Sequence, residues 1–239
     1  MAVVDELLSS WEAHVETGEH KLRSRQRKTL PQAAVVLALT SHVYECAKFL
    51  RPHLPTELSP VQMPIVRAIL ESAMTVLWVD KVEDAAAAFL NEEIRQRNNL
   101  QNTLRETPWF AAHADQVAHA GDDPQPTSAA EEARRFNRLL ERLGAQDFYA
   151  FYRLLSAVTH PSVTLTDCYL EGDDGRGFPF TLMPRAERLS SSEGNAWLMA
   201  VCMLWTARTV NYYDGDKQRR SQLRRLGRDM GIKVDFQPR

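Results

Sequence analysis

The chain of 239 residues has only three cysteines, at positions 46, 168 and 202, and none lies in a CxxC pattern. An odd and dispersed set of cysteines argues against a disulfide framework and against a zinc site, and is typical of a reducing compartment. The N-terminus has acidic residues where a signal peptide needs basic ones, and no uncharged apolar run reaches the length of a membrane span. We therefore expect a cytoplasmic protein with no membrane partner.

The sequence motifs of common nucleotide, cofactor and hydrolase sites are also missing. There is no GxGxxG, P-loop, HExxH or GxSxG motif and no internal repeat. No glutamate is followed by a histidine at the Glu-x-x-His spacing of carboxylate metal sites. These absences predict a protein without a metal and without a cofactor.

The net charge of −2 conceals two strongly basic segments. Five lysines and arginines lie in the N-terminal segment 20–28, and six lie within residues 217–228 of the C-terminal segment 216–239. Such runs are most often solvated helix faces, and they are also what a partner with a phosphate backbone requires. Both interpretations stay open at the level of sequence.

Apolar residues recur at helical spacing along most of the chain, which predicts an all-α fold. The predicted helices cover 3–17, 31–50, 65–79, 83–106, 109–120, 128–143, 148–160 and 192–212, followed by a basic helix from 216. Segments 65–79 and 196–205 are apolar on nearly all sides, as central helices are. Strand-forming residues at 163–170 and 178–182 flank a turn-rich link. We predict one domain, 1–239, that is a helical bundle with a small β-hairpin near residues 163–182.

The segment 148–161 contains the most informative polar pattern. At 100° per residue, Arg153, Ser156 and His160 fall on one side of a helix that ends at Pro161. The opposite side is a predicted buried stripe of Phe148, Phe151, Leu155 and Val158. An arginine and a histidine on one exposed face can bind an anion and move a proton. The structural alternative is a solvated arginine and a histidine that caps the helix.

Two charged residues interrupt the apolar segment 65–79. Arg67 and Glu71 lie one helical turn apart on the same face. An unpaired buried charge costs several kcal/mol, so these residues must pair with each other or face a polar cleft. The first alternative is an internal ion pair, and the second is a cleft shared with Arg153 and His160.

The run Tyr152-Arg153-Leu-Leu-Ser156-Ala-Val-Thr-His160-Pro resembles the motif of the HEPN superfamily, in which a histidine follows an arginine after four to six residues. Together with Arg67-x3-Glu71, it also resembles an uncharacterised bacterial helical family over about residues 30–215. HEPN members are all-α proteins, and many are metal-independent ribonucleases of toxin–antitoxin, abortive-infection and CRISPR systems.

The resemblance implies roles for these residues. Arg153 would bind the scissile phosphate, and His160 would transfer a proton while the ribose 2′-OH attacks. Arg67, Glu71, Tyr152 and Ser156 would line or support the cleft. HEPN sites form where two copies meet, so the implied partners are RNA, a second copy of the chain, and an antitoxin or other protein.

The sequence also supports a non-catalytic helical module for binding or regulation, in which the same charged residues form a polar network. Leu154 follows Arg153 where many active HEPN ribonucleases have a polar residue, and Ser162 stands where antitoxin-modified members have tyrosine. The near-neutral charge and the lack of an aromatic, basic RNA platform favour the same interpretation. Solvent access to His160 distinguishes the two hypotheses.

Overall fold

The fold is that of a computed structural model, which describes residues 1–16, 29–56, 58–116, 125–172, 180–186, 192–213 and 219–232. Local sequence signals determine where several of its helices begin and end. The helices are α1 (Ala2–Glu16), α2 (Leu30–Leu50), α3 (Met63–Lys81), α4 (Ala85–Glu106), α5 (Ala130–Arg134), α6 (Phe136–Leu143), α7 (Phe148–Thr159), α8 (Val163–Asp167), α9 (Ser192–Tyr213) and α10 (Arg220–Asp229). Thr29 caps α2 by accepting a hydrogen bond from the backbone N–H of Gln32. Gly144, at φ 67°, ends α6 in the left-handed conformation that favours glycine.

The centre of the bundle is α3, which contacts α2, α6, α7 and α9. Its side chains Val66, Leu70 and Trp78 are fully buried. The facing helix α9 is buried from Leu198 through Trp205. One contiguous cluster of buried apolar side chains runs from α1 to α10. The prediction that segments 65–79 and 196–205 are central and buried is confirmed, because helices that are apolar all round must be enclosed by others.

The segment Leu30–His53 is long and apolar enough to cross a membrane by length and composition, with a mean hydropathy of 1.3. In the folded chain its helix α2 packs on α3 and α9 and buries Val36, Val43 and Ala47. Core helices pass the same test of length and composition, and the fold is compatible with a soluble protein.

The predicted hairpin exists, but its first strand was predicted in the wrong place. Val163–Asp167 forms α8, because the Ser162 hydroxyl accepts a hydrogen bond from the Leu165 N–H at 3.0 Å and caps a short helix. The hairpin consists of β1 (Leu170–Gly172) and β2 (Phe180–Leu182), which pair antiparallel with Leu170 opposite Leu182. The β propensity of residues 163–167 was overridden by a local cap.

Two other predicted helices need correction. The predicted helix 128–143 is two helices, α5 and α6, because Arg135 has the extended backbone angles φ −133° and ψ 106°. The predicted helix 109–120 is a 3-10 helix at Ala111–Gln116 where the structure describes it. Shorter 3-10 helices occur at Arg51–His53 and Pro60–Gln62.

The two basic segments are described only in part. The N-terminal basic cluster 21–28 lies outside the described residues, and so do 214–218 and 233–239. The predicted basic helix from 216 is α10, which begins at Arg220 and packs on α9. Leu223 and Leu226 are its buried anchors.

Candidate functional site

Helix α7 is held against the bundle by its apolar side, with its last residue at an open edge. Leu155 and Val158 are buried, and the ring of Phe148 meets Trp205 edge-on at 5.2 Å between centroids. The predicted buried stripe is wrong at Phe151, which remains 36% exposed. Its ring contacts Phe148 and Trp197 but is not covered by another element of the described structure.

His160 ends α7 in an extended conformation, with φ −109° and ψ 154°. Its backbone N–H still donates to the Ser156 carbonyl at 3.3 Å. Pro161 disfavours helical geometry at the residue before it, so the chain turns away at this point. The imidazole therefore lies beyond the last helical turn, at the start of α3 rather than on the free surface of α7.

Arg67 of α3 is the centre of the site. Its Nε donates to Glu71 Oε1 at 3.0 Å, and its Nη2 donates to the Tyr152 hydroxyl at 3.0 Å. Its Nη1 lies 2.6 Å from His160 Nε2. The guanidinium carbon is also 4.7 Å from the centroid of the Tyr152 ring, a cation–π distance. One guanidinium thus joins α3 to two positions of α7.

The contact with Arg67 determines the form of the His160 ring. A guanidinium is only a hydrogen-bond donor, so His160 Nε2 must accept. An imidazole that accepts at Nε2 is neutral and carries its proton on Nδ1. A protonated ring has no acceptor and could not make this contact. In this arrangement the lone pair on Nε2 faces Arg67 and the N–H of Nδ1 is directed away from it.

The exposure of the side chains increases from the base of the site, at Arg67, to its edge, at His160. The Arg67 side chain is 17% exposed and that of Glu71 is 38% exposed. His160 is exposed, so the site is not sealed inside the bundle. The hydrogen bonds described above place Arg67 in contact with His160, and Glu71 binds the same guanidinium.

The remaining predicted residues lie beside this network. The Ser156 hydroxyl donates to the Tyr152 carbonyl at 2.7 Å, a bond within α7. Arg153 is exposed, and its guanidinium has no hydrogen bond or ion pair among the residues that the structure describes. The predicted face shared by Arg153 and His160 therefore contains no direct contact between them. His160 contacts Arg67 instead.

Two aromatic residues of the site were not predicted. Tyr149 stacks on Tyr152 with centroids 5.6 Å apart, and Phe136 of α6 lies 4.8 Å from the same ring. These rings hold Tyr152 in place under Arg67. The i, i+3 spacing of the two tyrosines was a signal for the first of these contacts, whereas nothing local indicated Phe136.

In the part of the chain that the structure describes, no three His, Cys, Asp or Glu side chains are grouped so that they could hold a metal ion. The chemistry open to these residues is that of a solvent-accessible imidazole in contact with the guanidinium of Arg67, with the exposed Arg153 on the same helix. Such a set can bind an oxyanion and transfer a proton.

Comparison with known proteins identifies the family but not an activity. The model of a family of unknown function, DUF5677, matches residues 56–178, which are 123 of the 239 residues. The chain belongs to this family. The matched range includes both α3 and α7 and so every residue of the site. No curated protein and no solved structure matches the chain.

Proposed function

We propose that this member of the DUF5677 family is a HEPN-like, metal-independent endoribonuclease in which His160 transfers the proton. The observation that carries the proposal is that His160 is exposed while Arg67 holds its ring in one orientation. A histidine that only capped a helix would need neither solvent access nor a guanidinium bound to its Nε2. Proton transfer by a positioned side chain accelerates a reaction by about 10²–10⁴-fold.

Arg153 supplies the phosphate contact. It is exposed on α7, seven residues before His160, which is a separation of about 10 Å along the helix axis. Its guanidinium is exposed and has no carboxylate partner among the described residues. A planar guanidinium binds two phosphate oxygens at once, which a lysine cannot do. A phosphodiester held by Arg153 can extend toward the imidazole of His160.

The reaction begins with an exchange of hydrogen-bond partners. A non-bridging phosphate oxygen is a stronger acceptor than a neutral imidazole, so the Arg67 Nη1–H turns from His160 Nε2 to the phosphate. This exchange frees the Nε2 lone pair, which takes the proton of the ribose 2′-OH. The O2′–P bond then forms and the P–O5′ bond breaks. The products are a 2′,3′-cyclic phosphate and a 5′-hydroxyl that takes its proton from an imidazolium or from water.

A second copy of the chain completes the site in this proposal, as the HEPN resemblance implies. Phe151, Leu154 and Trp197 form an exposed apolar face beside the site, with exposed fractions of 36%, 69% and 42%. The rings of Phe151 and Trp197 lie 6.4 Å apart. Apolar side chains grouped on a surface are typical of protein interfaces. A homodimer through this face brings two Arg153–His160 pairs together.

The biological setting follows from the same resemblance. HEPN ribonucleases serve as toxins or in phage defence in the cytoplasm, where an antitoxin or another protein restrains them. The proposed chemistry uses side chains alone and requires neither a metal nor a cofactor.

The test is cleavage of a labelled single-stranded RNA by the purified chain in EDTA. We expect fragments that end in 2′,3′-cyclic phosphate, and we expect His160→Ala to lower the rate by about 10²–10⁴-fold. His113→Ala is the matched control, because His113 is an exposed histidine away from the site and its loss should leave the rate unchanged. Loss of cleavage in EDTA, or normal cleavage by His160→Ala, would refute the mechanism.

The second candidate is a non-catalytic binding or regulatory module. One observation favours it: all three nitrogens of the Arg67 guanidinium are engaged by groups of the protein itself. A fully hydrogen-bonded network of this kind can have a purely structural role, which is to hold α7 on α3. In that case His160→Ala would lower the free energy of unfolding, and the wild-type chain would bind RNA or a protein without cleaving it.

A further inference from the structure

Helix α10 has a row of exposed arginines. Arg220, Arg224 and Arg228 are spaced by four residues and are all exposed. Residues four apart lie about 6 Å apart along a helix and 40° apart around it, so the three guanidinium groups point to the same side. A row of cations at this interval matches the regular spacing of phosphates along a nucleic acid strand.

The row differs from the other arginines of the described helices, most of which have a carboxylate partner. The paired arginines are Arg51, Arg67, Arg95, Arg97, Arg134, Arg135, Arg138 and Arg225. By contrast, the guanidinium groups of Arg220, Arg224 and Arg228 have no hydrogen bond or ion pair to any described residue. Unpaired cations in a row leave a local positive potential that only an external anion can neutralise.

The neighbouring Arg225 shows that α10 has two different faces. Its guanidinium binds Glu6 of α1 and lies 3.2 Å from Asp229. Leu223 and Leu226 anchor the same helix on the bundle. One side of α10 is therefore attached to the protein by both packing and charge. The side with the unpaired arginines is left to solvent.

A cleft between α9 and α10 lies at the start of the row. Three arginines line it, Arg208, Arg220 and Arg224, together with Asn211, Tyr212 and Leu223, and none of the lining residues is a carboxylate. Arg208 is buried at its base, with 8% of the residue exposed. The enclosed volume is only about 10 Å³, so an anion would sit at the mouth, against Arg220 and Arg224.

The row lies far from His160. Trp197 is near Phe151, and Trp205 is near Phe148, so α9 runs antiparallel to α7 and moves away from His160 as it proceeds. Its last residue, Tyr213, donates a hydrogen bond to Asp80 at the far end of α3. Asp80 is thirteen residues, or about 20 Å, from Arg67. The α10 row is a separate surface and not an extension of the site around His160.

We propose that Arg220, Arg224 and Arg228 form a surface that binds the phosphodiester backbone of single-stranded RNA at the end of the bundle opposite His160. The choice of RNA rests on the proposed function, whereas the binding of phosphates rests on the row itself. Guanidinium groups are the side chains best suited to phosphate oxygens, and each contact to a strand releases counterions. The surface would hold an RNA chain away from the point of cleavage.

The experiment measures binding of a fluorescent 2′-O-methyl RNA 20-mer, which has no free 2′-OH and so cannot be cleaved. The test variant is Arg220→Gln/Arg224→Gln. The matched control is Arg97→Gln/Arg138→Gln, which removes the same charge from arginines paired with Glu93 and Glu141. Affinity is measured at several salt concentrations, and circular dichroism and thermal unfolding check the fold of both variants.

We expect the test variant to bind about tenfold more weakly than the wild type at low salt, with the control close to the wild type. The slope of log affinity against log salt should fall by about 1.4, because each phosphate contact on a single strand contributes about 0.7. Equal weakening on a DNA strand of the same length is also expected, since phosphates make the contact. Weakening on DNA but not on RNA would overturn the choice of RNA.

Equal affinity and equal slope in the test and control variants would overturn the surface itself. The result is independent of catalysis, because the 2′-O-methyl RNA has no free 2′-OH and cannot be cleaved. A wild-type chain that binds through the row but never cleaves RNA would refute the ribonuclease and leave the surface intact. If the wild type cleaves RNA but the α10 substitutions do not change RNA binding, the surface is refuted and the ribonuclease is left intact.

Discussion

Arg67 and His160 are 93 positions apart in the chain, and their side-chain nitrogens Nη1 and Nε2 are 2.6 Å apart. This contact ties the end of α7 to the first half of α3. Arg67 also binds Glu71 and Tyr152, so a single guanidinium organises the site. Arg67 is in this sense a positioning residue for His160, and the first prediction concerns it.

We predict that Arg67→Gln lowers the free energy of unfolding by about 1–3 kcal/mol, because Tyr152 and the half-buried Glu71 lose their partner. It should also lower the kcat of RNA cleavage more than it changes KM, since His160 would lose the donor that holds its ring. Urea unfolding and steady-state kinetics measure the two effects. Arg97→Gln, which breaks an exposed pair with Glu93, is the control and should change stability by less than about 0.5 kcal/mol. An unchanged kcat in Arg67→Gln would contradict the positioning role.

The second prediction concerns Arg153, whose guanidinium has no partner among the described residues. Arg153→Lys should lower cleavage nearly as much as Arg153→Ala, because an ammonium cannot bind two phosphate oxygens in a plane. Neither variant should alter the thermal unfolding midpoint, since the side chain contributes nothing to packing. Arg138→Lys, at an exposed arginine of α6, should keep full activity. Full cleavage by Arg153→Lys would show that only charge matters at this position.

The third prediction tests the dimer face. Leu154 is 69% exposed on α7, and Leu154→Glu places a charge in the middle of the apolar face. We expect sedimentation to show dimers for the wild type and monomers for Leu154→Glu, with cleavage reduced in parallel. Leu100→Glu, at an exposed leucine of α4, should leave both properties unchanged. Dimers that persist in Leu154→Glu would assign the interface to another surface.

The fourth prediction concerns acid stability at Glu92. The hydrogen bond from Arg95 lowers the pKa of the Glu92 carboxyl from its ordinary 4.5, and Gln96 and Arg134 act in the same direction. A lowered pKa gives stability that is present above pH 4.5 and is lost as the pH falls through the lowered value. Glu92→Gln should therefore be less stable than the wild type by about 1 kcal/mol at pH 7.

The difference between Glu92→Gln and the wild type should shrink as the pH falls below 4.5, which urea unfolding at a series of pH values can measure. Glu106→Gln is the control on the same helix, because Glu106 is exposed and has no partner among the described residues. A difference that stays constant from pH 7 to pH 3 would show that Glu92 contributes by packing and not by charge.

The fifth prediction tests the central role of α3. Leu70 is fully buried, and Leu70→Ala should lower the free energy of unfolding by about 2–5 kcal/mol through lost burial and the remaining cavity. Leu30→Ala, at the exposed start of α2, should cost less than about 0.5 kcal/mol. Similar costs for the two substitutions, measured by denaturant unfolding, would contradict the packing described for α3.

The sequence by itself determined where the main helices lie in the chain and which two of them are the most buried. The apolar periodicity of residues 65–79 and 196–205 predicted the two central helices, because a residue's burial depends on which faces of its own helix are apolar. Pro161 predicted the end of α7 at His160, since a proline restricts the residue before it. The spacing of Arg67 and Glu71 within one helix predicted either an ion pair or a polar cleft, and the structure shows that the two side chains pair.

Only the tertiary structure decided the partners across helices. It showed that His160 contacts Arg67 and not Arg153, and that Arg135 divides a predicted single helix. It also showed that Arg225 of α10 is paired with Glu6, whereas Arg224 beside it is not paired with a described residue. Periodicity and propensity are properties of a few consecutive residues, whereas these features depend on which segments meet after folding. The chemistry proposed here therefore depends on a contact that no local pattern contains.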